Sequence, residues 1–406
     1  MSSSDARRAD IPADLIRPWD LSRDPETRVC PFRAAAKLLD GPDVFFNPGE
    51  RHARAAGLGG NWVVTRQELQ REVFQNPEVF SSHSITGFSR LLGEEWLLVP
   101  LELDPPEHMK YRIPLNSLFS PARVNQLEAG VRQEAVELVE KVRAAGECDF
   151  MEAFGRPFPV GVFMRLMGLP AEDMPLLLSW EEGLLRGETM ADRASAARSI
   201  KDYLVKLVAA RRARPTDDLV SFLVGLQPEG QPLSDERALG ICFLFYVAGL
   251  DTVASTLGFT FRELAQRPEL QQQLRADPGL IPDAVEEFVR AFGVVVDYRY
   301  LTRDYEFHGV QMRKGDLVEL PLGVGSRDPR EYPDPHRIDF KRENTRNLTF
   351  AAGAHRCIGS HLARREFRIA LEEWSARMPE FRIKPGDQPR VQAESVWGVS
   401  YLPLVW

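Results

Sequence analysis

Apolar residues recur through most of the chain at the three-and-four spacing of amphipathic helices, and frequent prolines such as Pro105-Pro106, Pro268 and Pro278 cut the pattern into segments. Strand-like runs cluster in two places. One is Asn61 to Thr65 (NWVVT). The other spans Tyr305 to Leu320, where YEFHGVQM and DLVEL flank Arg313-Lys314-Gly315 as an expected hairpin. The pattern predicts a mainly α protein with small β-sheets. No repeat, low-complexity tract or Gly/Ser linker marks a domain boundary.

The longest helical candidate opens at Ser234, an N-cap type followed by Asp235 and Glu236, and runs to Arg267 before Pro268, about 50 Å at the helical rise. Its middle, Ala238 to Phe261, is apolar nearly all round. About 20 apolar residues can span a bilayer, but Asp251, several Ser and Thr, and the lack of a second such segment favour a buried central helix. Asp251 and Gly249 both run against helix stability at its centre, and such local violations often mark function. The structural alternative is that Thr252 bonds a carbonyl one turn earlier while Asp251 sits in a salt bridge.

Composition narrows the class. With 406 residues, 44% hydrophobic, 27% charged and a net charge of −8, the chain can bury a large core and lacks the basic excess that nucleic acid demands. The N-terminus has no apolar run of signal-peptide type, so a cytoplasmic location with no membrane anchor is expected. Cys30, Cys148, Cys242 and Cys357 are far apart and show neither zinc spacing nor a disulfide pattern. The first three read as packing residues.

Cys357 reads differently. It closes a glycine-containing loop, Phe350-Ala351-Ala352-Gly353-Ala354-His355-Arg356-Cys357-Ile358-Gly359, ahead of the helical run IGSHLARREFRIALEEW. A helix N-terminus favours the thiolate, Gly353 permits the turn, Gly359 admits a flat group and Phe350 could shield the sulfur. A thiolate facing a large planar metal cofactor, haem above all, suits this arrangement. A nucleophilic Cys357 with His355 as base is the rival, weakened by the two-residue spacing and the absence of an orienting third group.

The loop resembles the cysteine motif F-x-x-G-x-x-x-C-x-G of the cytochrome P-450 superfamily. Ala248-Gly249-Leu250-Asp251-Thr252 resembles its oxygen-activation motif, Glu287-Phe288-Val289-Arg290 its E-x-x-R pair, Pro333 to Arg337 the segment whose arginine joins that pair, and His108 to Arg112 its H-x-x-x-R. Asp304 to Gln311, HLARRE and the terminal Pro403 to Trp406 are similar to the soluble bacterial camphor hydroxylase group.

The resemblance implies a single P-450 domain over residues 1–406, with a β-rich N-terminal portion, an α-rich remainder and a long helix crossing the haem. It implies a monomeric monooxygenase that binds haem b through Cys357 and inserts one atom of O2 into a C–H bond. Thr252 would hydrogen-bond dioxygen or a nearby water, Asp251 would pass protons inward, Gly249 would leave room for O2, and Arg186 would pair with Asp251 at rest. Arg112, Arg299 and His355 would hold the haem propionates, with Asp297 and His108 as further partners. Glu287, Arg290 and Arg337 would form a buried structural network.

A [2Fe-2S] ferredoxin with an NADH-dependent reductase would deliver electrons at a local basic patch of Lys110, Arg112, Arg356, Arg364, Arg365 and Arg368. By charge pattern alone, a helix face laced by Glu366, Glu372 and Glu373 is as good a reading. Positions matching camphor contacts are Leu244, Val247, Val295 and Val396, with Ala248 beside them. Trp96, Gly87, Leu101 and Ser395 stand where the camphor enzyme has Tyr, Phe, Thr and Ile. These differences favour a larger, flatter terpenoid or norisoprenoid ketone of the ionone or damascone type over camphor or another cyclic monoterpene. The indole N–H of Trp96 is the expected carbonyl donor. A cation near Gly93 and Glu94 is left open. A haem-thiolate sensor without turnover is the alternative of another class, against which the Asp251-Thr252 pair speaks; a peroxide-driven oxidase is a third.

Overall fold

The computed structural model describes residues 11–49, 58–393 and 396–406. Contacts divide the chain into two compact units that interleave in sequence. The first takes in the chain up to Ile85, Glu287–Cys357 and Val391–Trp397; the second comprises Thr86–Glu286, Ile358–Arg390 and Gly398–Trp406.

In the first unit, β-branched and aromatic runs form a five-stranded sheet in the order Val44–Asn47, Asn61–Val64, Leu317–Pro321, Val296–Leu301, Phe80–Ser81. Only the Asn61–Val64 and Leu317–Pro321 pairing is parallel among these strands. Trp62, Val64, Val318 and Leu320 bury one face against Val73 and Phe74 of the helix Gln67–Gln75. Antiparallel register places Arg299 opposite Val318 and Asp297 opposite Leu320, so both charged side chains share that face.

The strand expected over Asn61 to Thr65 is present as Asn61–Val64. The hairpin is differently drawn. Tyr305–Phe307 pairs with Val310–Met312 across a two-residue turn at His308 and Gly309, both at positive φ, while Leu317–Pro321 joins the large sheet. Tight two-residue turns need such left-handed residues in sequence, which outweighs the polar Arg313-Lys314-Gly315.

The E-x-x-R pair forms, but with another partner. Glu287 accepts two bonds from Arg290 (2.7 and 2.9 Å), and its other ion-pair partner is Arg342, whose Nε lies 3.1 Å from both carboxylate oxygens. Asp339 N–H adds a 3.0 Å bond. Arg337, the expected third member, is 65% exposed and lies 3.7 Å from Asp339. The irregular segment after Pro335 turns it outward, and the buried place falls to the arginine five positions later.

The second unit is helical: Pro121–Arg143, Pro157–Met167, Met174–Arg186, Met190–Ala213, Asp235–Leu250, Thr252–Gln266 and Ser360–Arg377 are its main elements. Phe150 stacks on Phe261 with centroids 4.2 Å apart, and Trp374 meets both edge-on at 5.1 and 5.2 Å. The C-terminal strand Pro403–Val405 lies between Glu147–Asp149 and Arg382–Ile383.

The long apolar helix starts where its cap predicts, with the Ser234 hydroxyl accepting from Arg237 N–H at 3.2 Å. Its most apolar window has mean hydropathy 1.7 and is 67% buried, as a core helix should be. It is interrupted at Asp251 rather than continuous, giving Asp235–Leu250 and Thr252–Gln266. The Thr252 hydroxyl donates to the Ala248 carbonyl at 2.9 Å, and such back-bonding competes with the backbone ladder. Gly249 has a packing reason: a Cβ there would sit 2.5 Å from the Phe163 ring, so its missing side chain admits the neighbouring helix as well as weakening its own.

Candidate functional site

In the first unit the loop 350–357 folds back on itself, with Cys357 N–H donating to Phe350 carbonyl at 2.8 Å. Gly353 takes φ 68, and a Cβ on it would lie 2.4 Å from the Phe74 carbonyl, so the turn and its seat on the sheet unit both require glycine. The helix begins at Ser360 with Gly359 as its N-cap, leaving Cys357 two residues ahead of the cap. Cys357 is exposed and Phe350 half-buried. Burial pushes the thiols of Cys148 and Cys242 up to about 12, with nearby Asp149 and Asp218 adding in turn, which keeps both protonated and inert.

Beside this loop in the first unit, Arg299 is buried over the Phe74 ring at 5.0 Å. Its Nη1 donates to Asp297 (2.8 Å) and to Tyr298 carbonyl (2.6 Å). Its Nη2 is buried with no hydrogen-bond partner among the described residues. Asp297 therefore acts on the guanidinium and orients it. His355, in the short turn Gly353–His355, is buried as well. A buried guanidinium nitrogen without an acceptor, in the same unit as an exposed thiol, fits a group that brings both a thiophilic metal ion and a carboxylate. No cluster of three His, Cys, Asp or Glu suited to a metal ion occurs among the described residues.

The second unit supplies a helix face. Within the buried segment, Leu244 and Val247 are half-buried, Ala248 is exposed and Thr252 is half-buried. The spacing of three, one and four puts them in one stripe. Asp251 lies behind it, bonded at 2.8 Å to Arg186, with the two side chains 8% and 10% exposed. Burial weakens the Arg186 charge and Asp251 more than offsets it, so the guanidinium pKa is raised. Arg186 also reaches Glu182 at 3.1 Å. Both halves of the alternative reading, the back-bonded threonine and the salt-bridged aspartate, are thus present, and the exposed stripe stands beside them.

The remaining substrate positions are mixed. Trp96 is buried against Phe243 at 5.0 Å, and its N–H donates to Glu94 at 2.6 Å. That N–H is not the free carbonyl donor expected of it. Glu94 also holds the Lys201 ammonium, so at Gly93 and Glu94 the positive charge is the chain's own lysine. Gly87 has φ 71 at the start of the short helix Phe88–Leu91, a backbone reason for glycine in addition to any space it opens. Leu101 is half-buried. Val295 and Val396, in the first unit, pair through an isolated bridge. Ser395 lies outside the described residues.

On the helix Glu107–Asn116, Arg112 Nε donates to Asn116 at 2.8 Å, and His108 is fully buried. Burial first, then the Arg112 charge, depresses the His108 pKa to about 4, so it is neutral at neutral pH. The basic patch is smaller than its sequence suggests. Arg364 is paired with Glu286 (2.5 Å), Arg365 with Glu128, and Arg368 with Glu128 and Glu372. Of the three, only Arg368 meets an acid of its own helix, Glu372; Arg364 and Arg365 are paired with acids of other helices, Glu286 and Glu128.

An exposed loop thiol and a long interrupted helix with an acid–threonine pair define a haem-thiolate oxygenase class of protein. The Cytochrome P450 family description matches residues 172–278 and 279–403. The chain belongs to the cytochrome P450 family. It is 40% identical over 403 residues to "Probable cytochrome P450 127A1" of Sinorhizobium fredii, covering 98% of this chain and 96% of that one. It is 34% identical to "Mycinamicin IV hydroxylase/epoxidase" of Micromonospora griseorubida over 354 residues, 85% of this chain and 89% of that one. The crystal structures of CYP101J2 and CYP101C1 superpose with TM-scores of 0.86 and 0.87 at 34% and 33% identity; each comparison covers 98% of this chain, and 98% and 99% of the other. The protein is an oxygen-dependent oxidoreductase of the bacterial P450 type, and membership implies haem b on an axial cysteine thiolate.

Proposed function

We propose that the protein hydroxylates a C–H bond of an apolar terpenoid or norisoprenoid, with electrons from a [2Fe-2S] ferredoxin. The stripe Leu244, Val247, Ala248 and Thr252 carries this reading, because it presents an apolar surface that ends on a hydroxyl backed by an ion-paired acid. When bound, haem supplies the activation of O2 from which one atom enters the substrate and the other leaves as water. Cys357 would ligate its iron as thiolate. Arg299 Nη2 and Arg112 would donate to its carboxylates, with His355 and neutral His108 as further donors.

Arg186 holds Asp251 at rest and releases it during turnover. Asp251 then passes a proton toward Thr252, whose hydroxyl turns from the Ala248 carbonyl to orient a water or dioxygen. Replacing Thr252 by alanine should preserve O2 and NADH consumption while lowering product per NADH at least about tenfold, a conservative figure beside the roughly hundredfold or more that a positioned proton donor typically contributes. Full coupling in that variant would remove Thr252 from the relay.

With the Trp96 N–H engaged by Glu94, the substrate is held by shape against Leu244, Val247 and Ala248 rather than by a carbonyl bond to the indole. The direct test is a spin-state titration of the haem-loaded protein with a terpenoid panel, in which displacement of iron-bound water reports fit. Ionone-type and damascone-type ketones are expected to shift the spectrum more than camphor; a larger shift with camphor would sink the substrate assignment. The ferredoxin docks on the face carrying Lys110 and Arg112, where Met109 (39% exposed) and Ile113 (62%) offer apolar contact one turn apart.

A further inference from the structure

The helix Met174–Arg186 buries three side chains, Leu177, Glu181 and Leu184, at the spacing of one inward face. A carboxylic acid between two leucines is unexpected, and the family motifs assign it nothing. Glu181 is 5% exposed, and its Oε1 is buried with no hydrogen-bond partner among the described residues. Five residues on, the same helix supplies Arg186, which is bonded to Asp251.

The groups around Glu181 are Asp251, Arg186, Arg156 and Glu182, together with Tyr246 on the central helix. Tyr246 cannot serve as its donor, because its hydroxyl is given to the Leu177 carbonyl. Glu182 faces solvent, with its side chain 52% exposed. Two buried carboxyls, Glu181 and Asp251, thus stand around one buried guanidinium. Arg186 is bonded to Asp251, and the half-buried Arg156 makes no ion pair with Glu181 among the described residues, so a charged Glu181 would be buried without a partner and the two carboxyls hold one proton. Burial first, and then the Asp251 charge, holds the Glu181 carboxyl well above the usual range, which places that proton on Glu181.

Resting on the proton-relay reading of Asp251, we propose that Glu181 is a positioning residue that stores a proton beside Arg186 and gives it to the Asp251 carboxylate, which then passes it inward. In that step the O–H bond of the Glu181 carboxyl breaks as one forms on the Asp251 carboxylate. Arg186 then faces a charged Glu181 in place of Asp251, so the buried charge count is unchanged. Glu181 regains a proton from solvent through the small part of its surface that stays open. The sign with pH follows: an acid whose folded pKa is raised contributes stability that is full below its unfolded pKa of 4.5 and is lost as pH rises through the folded value. Glu181→Gln should therefore gain stability relative to the parent as pH rises.

The test uses haem-loaded protein and two readouts. In infrared difference spectra at neutral pH, the parent should show the C=O band of a protonated carboxyl that shifts in D2O and is missing from Glu181→Gln; a carboxylate signal in its place overturns the proposal. In turnover, Glu181→Gln should lose product per NADH about tenfold, less than a donor acting directly on the reacting group, with a larger solvent isotope effect and partial rescue by Glu181→Asp. Added to Asp251→Asn it should cost nothing more; an equal loss in both backgrounds would make Glu181 merely structural and overturn the proposal. Normal turnover by Glu181→Gln beside an impaired Asp251→Asn overturns this inference alone, whereas unimpaired Asp251→Asn takes the relay reading down with it.

Discussion

Glu287→Ala is expected to yield no folded, haem-loaded protein. Among the described residues its carboxylate is the sole anion paired with two guanidinium groups, Arg290 (fully buried) and Arg342 (side chain 9% exposed), and it also accepts Asp339 N–H. Removing one partner of a buried pair costs about 3–5 kcal/mol, because the other charge stays in the interior without its counter-ion. Here one deletion leaves two charges so exposed to that cost. Set against a typical stability of about 5–15 kcal/mol, the loss takes most or all of it. Arg290 has further bonds to the Ser326 and Pro335 carbonyls, so the damage reaches the segment that leads to the cysteine loop. The control is Arg337→Ala, which lies at the surface and should change stability by less than about 0.5 kcal/mol. Recovery of soluble protein and its haem absorbance measure both. Equal damage from the two variants would show that the network has been assigned to the wrong arginine.

Cys357→Ser is expected to abolish monooxygenase activity and the red-shifted Soret band that reduced, CO-treated protein shows when a thiolate is the ligand. A serine hydroxyl does not ionise near neutral pH, so it cannot supply the anionic sulfur that binds iron and drives electron density onto it. The loop itself should survive: its turn depends on Gly353 against the Phe74 carbonyl and on the backbone bond from residue 357 to Phe350, neither of which uses sulfur. Far-ultraviolet circular dichroism should therefore match the parent. Cys148→Ser and Cys242→Ser should leave the spectrum in place, since burial keeps those thiols protonated. A parent band typical of histidine ligation would overturn the cofactor assignment to Cys357.

What was legible in the sequence is what chemistry confines to short stretches. The cysteine loop, the Asp251-Thr252 pair, the Ser234 cap and the apolar central helix each declare themselves within a few residues. What was not legible depends on partners brought from far along the chain. Nothing local distinguishes Arg337 from Arg342, because the segment between them is irregular and has no period to say which side chain turns in. Gly249 takes its meaning from Phe163, and Gly353 from a carbonyl at Phe74. The Trp96 N–H has a nearer partner than a substrate carbonyl: Glu94, two residues earlier, takes it while Lys201 steadies the carboxylate. Glu181 was missed although a signal existed, an acid at an apolar position of a helix with leucines four before and three after it.

The interleaving of the two units bears on how the polypeptide can be made. Each needs a piece from the far C-terminal stretch: Val391–Trp397 completes the first, and Gly398–Trp406, with the strand Pro403–Val405, completes the second. A ribosome that has reached Arg390 has therefore finished neither, although the uninterrupted block Thr86–Glu286 has long been outside the tunnel. That block must wait with its aromatic side chains short of Trp374 and Phe381, the last to join their cluster. The nascent chain thus carries unsatisfied apolar surface until Gly398–Trp406 has emerged.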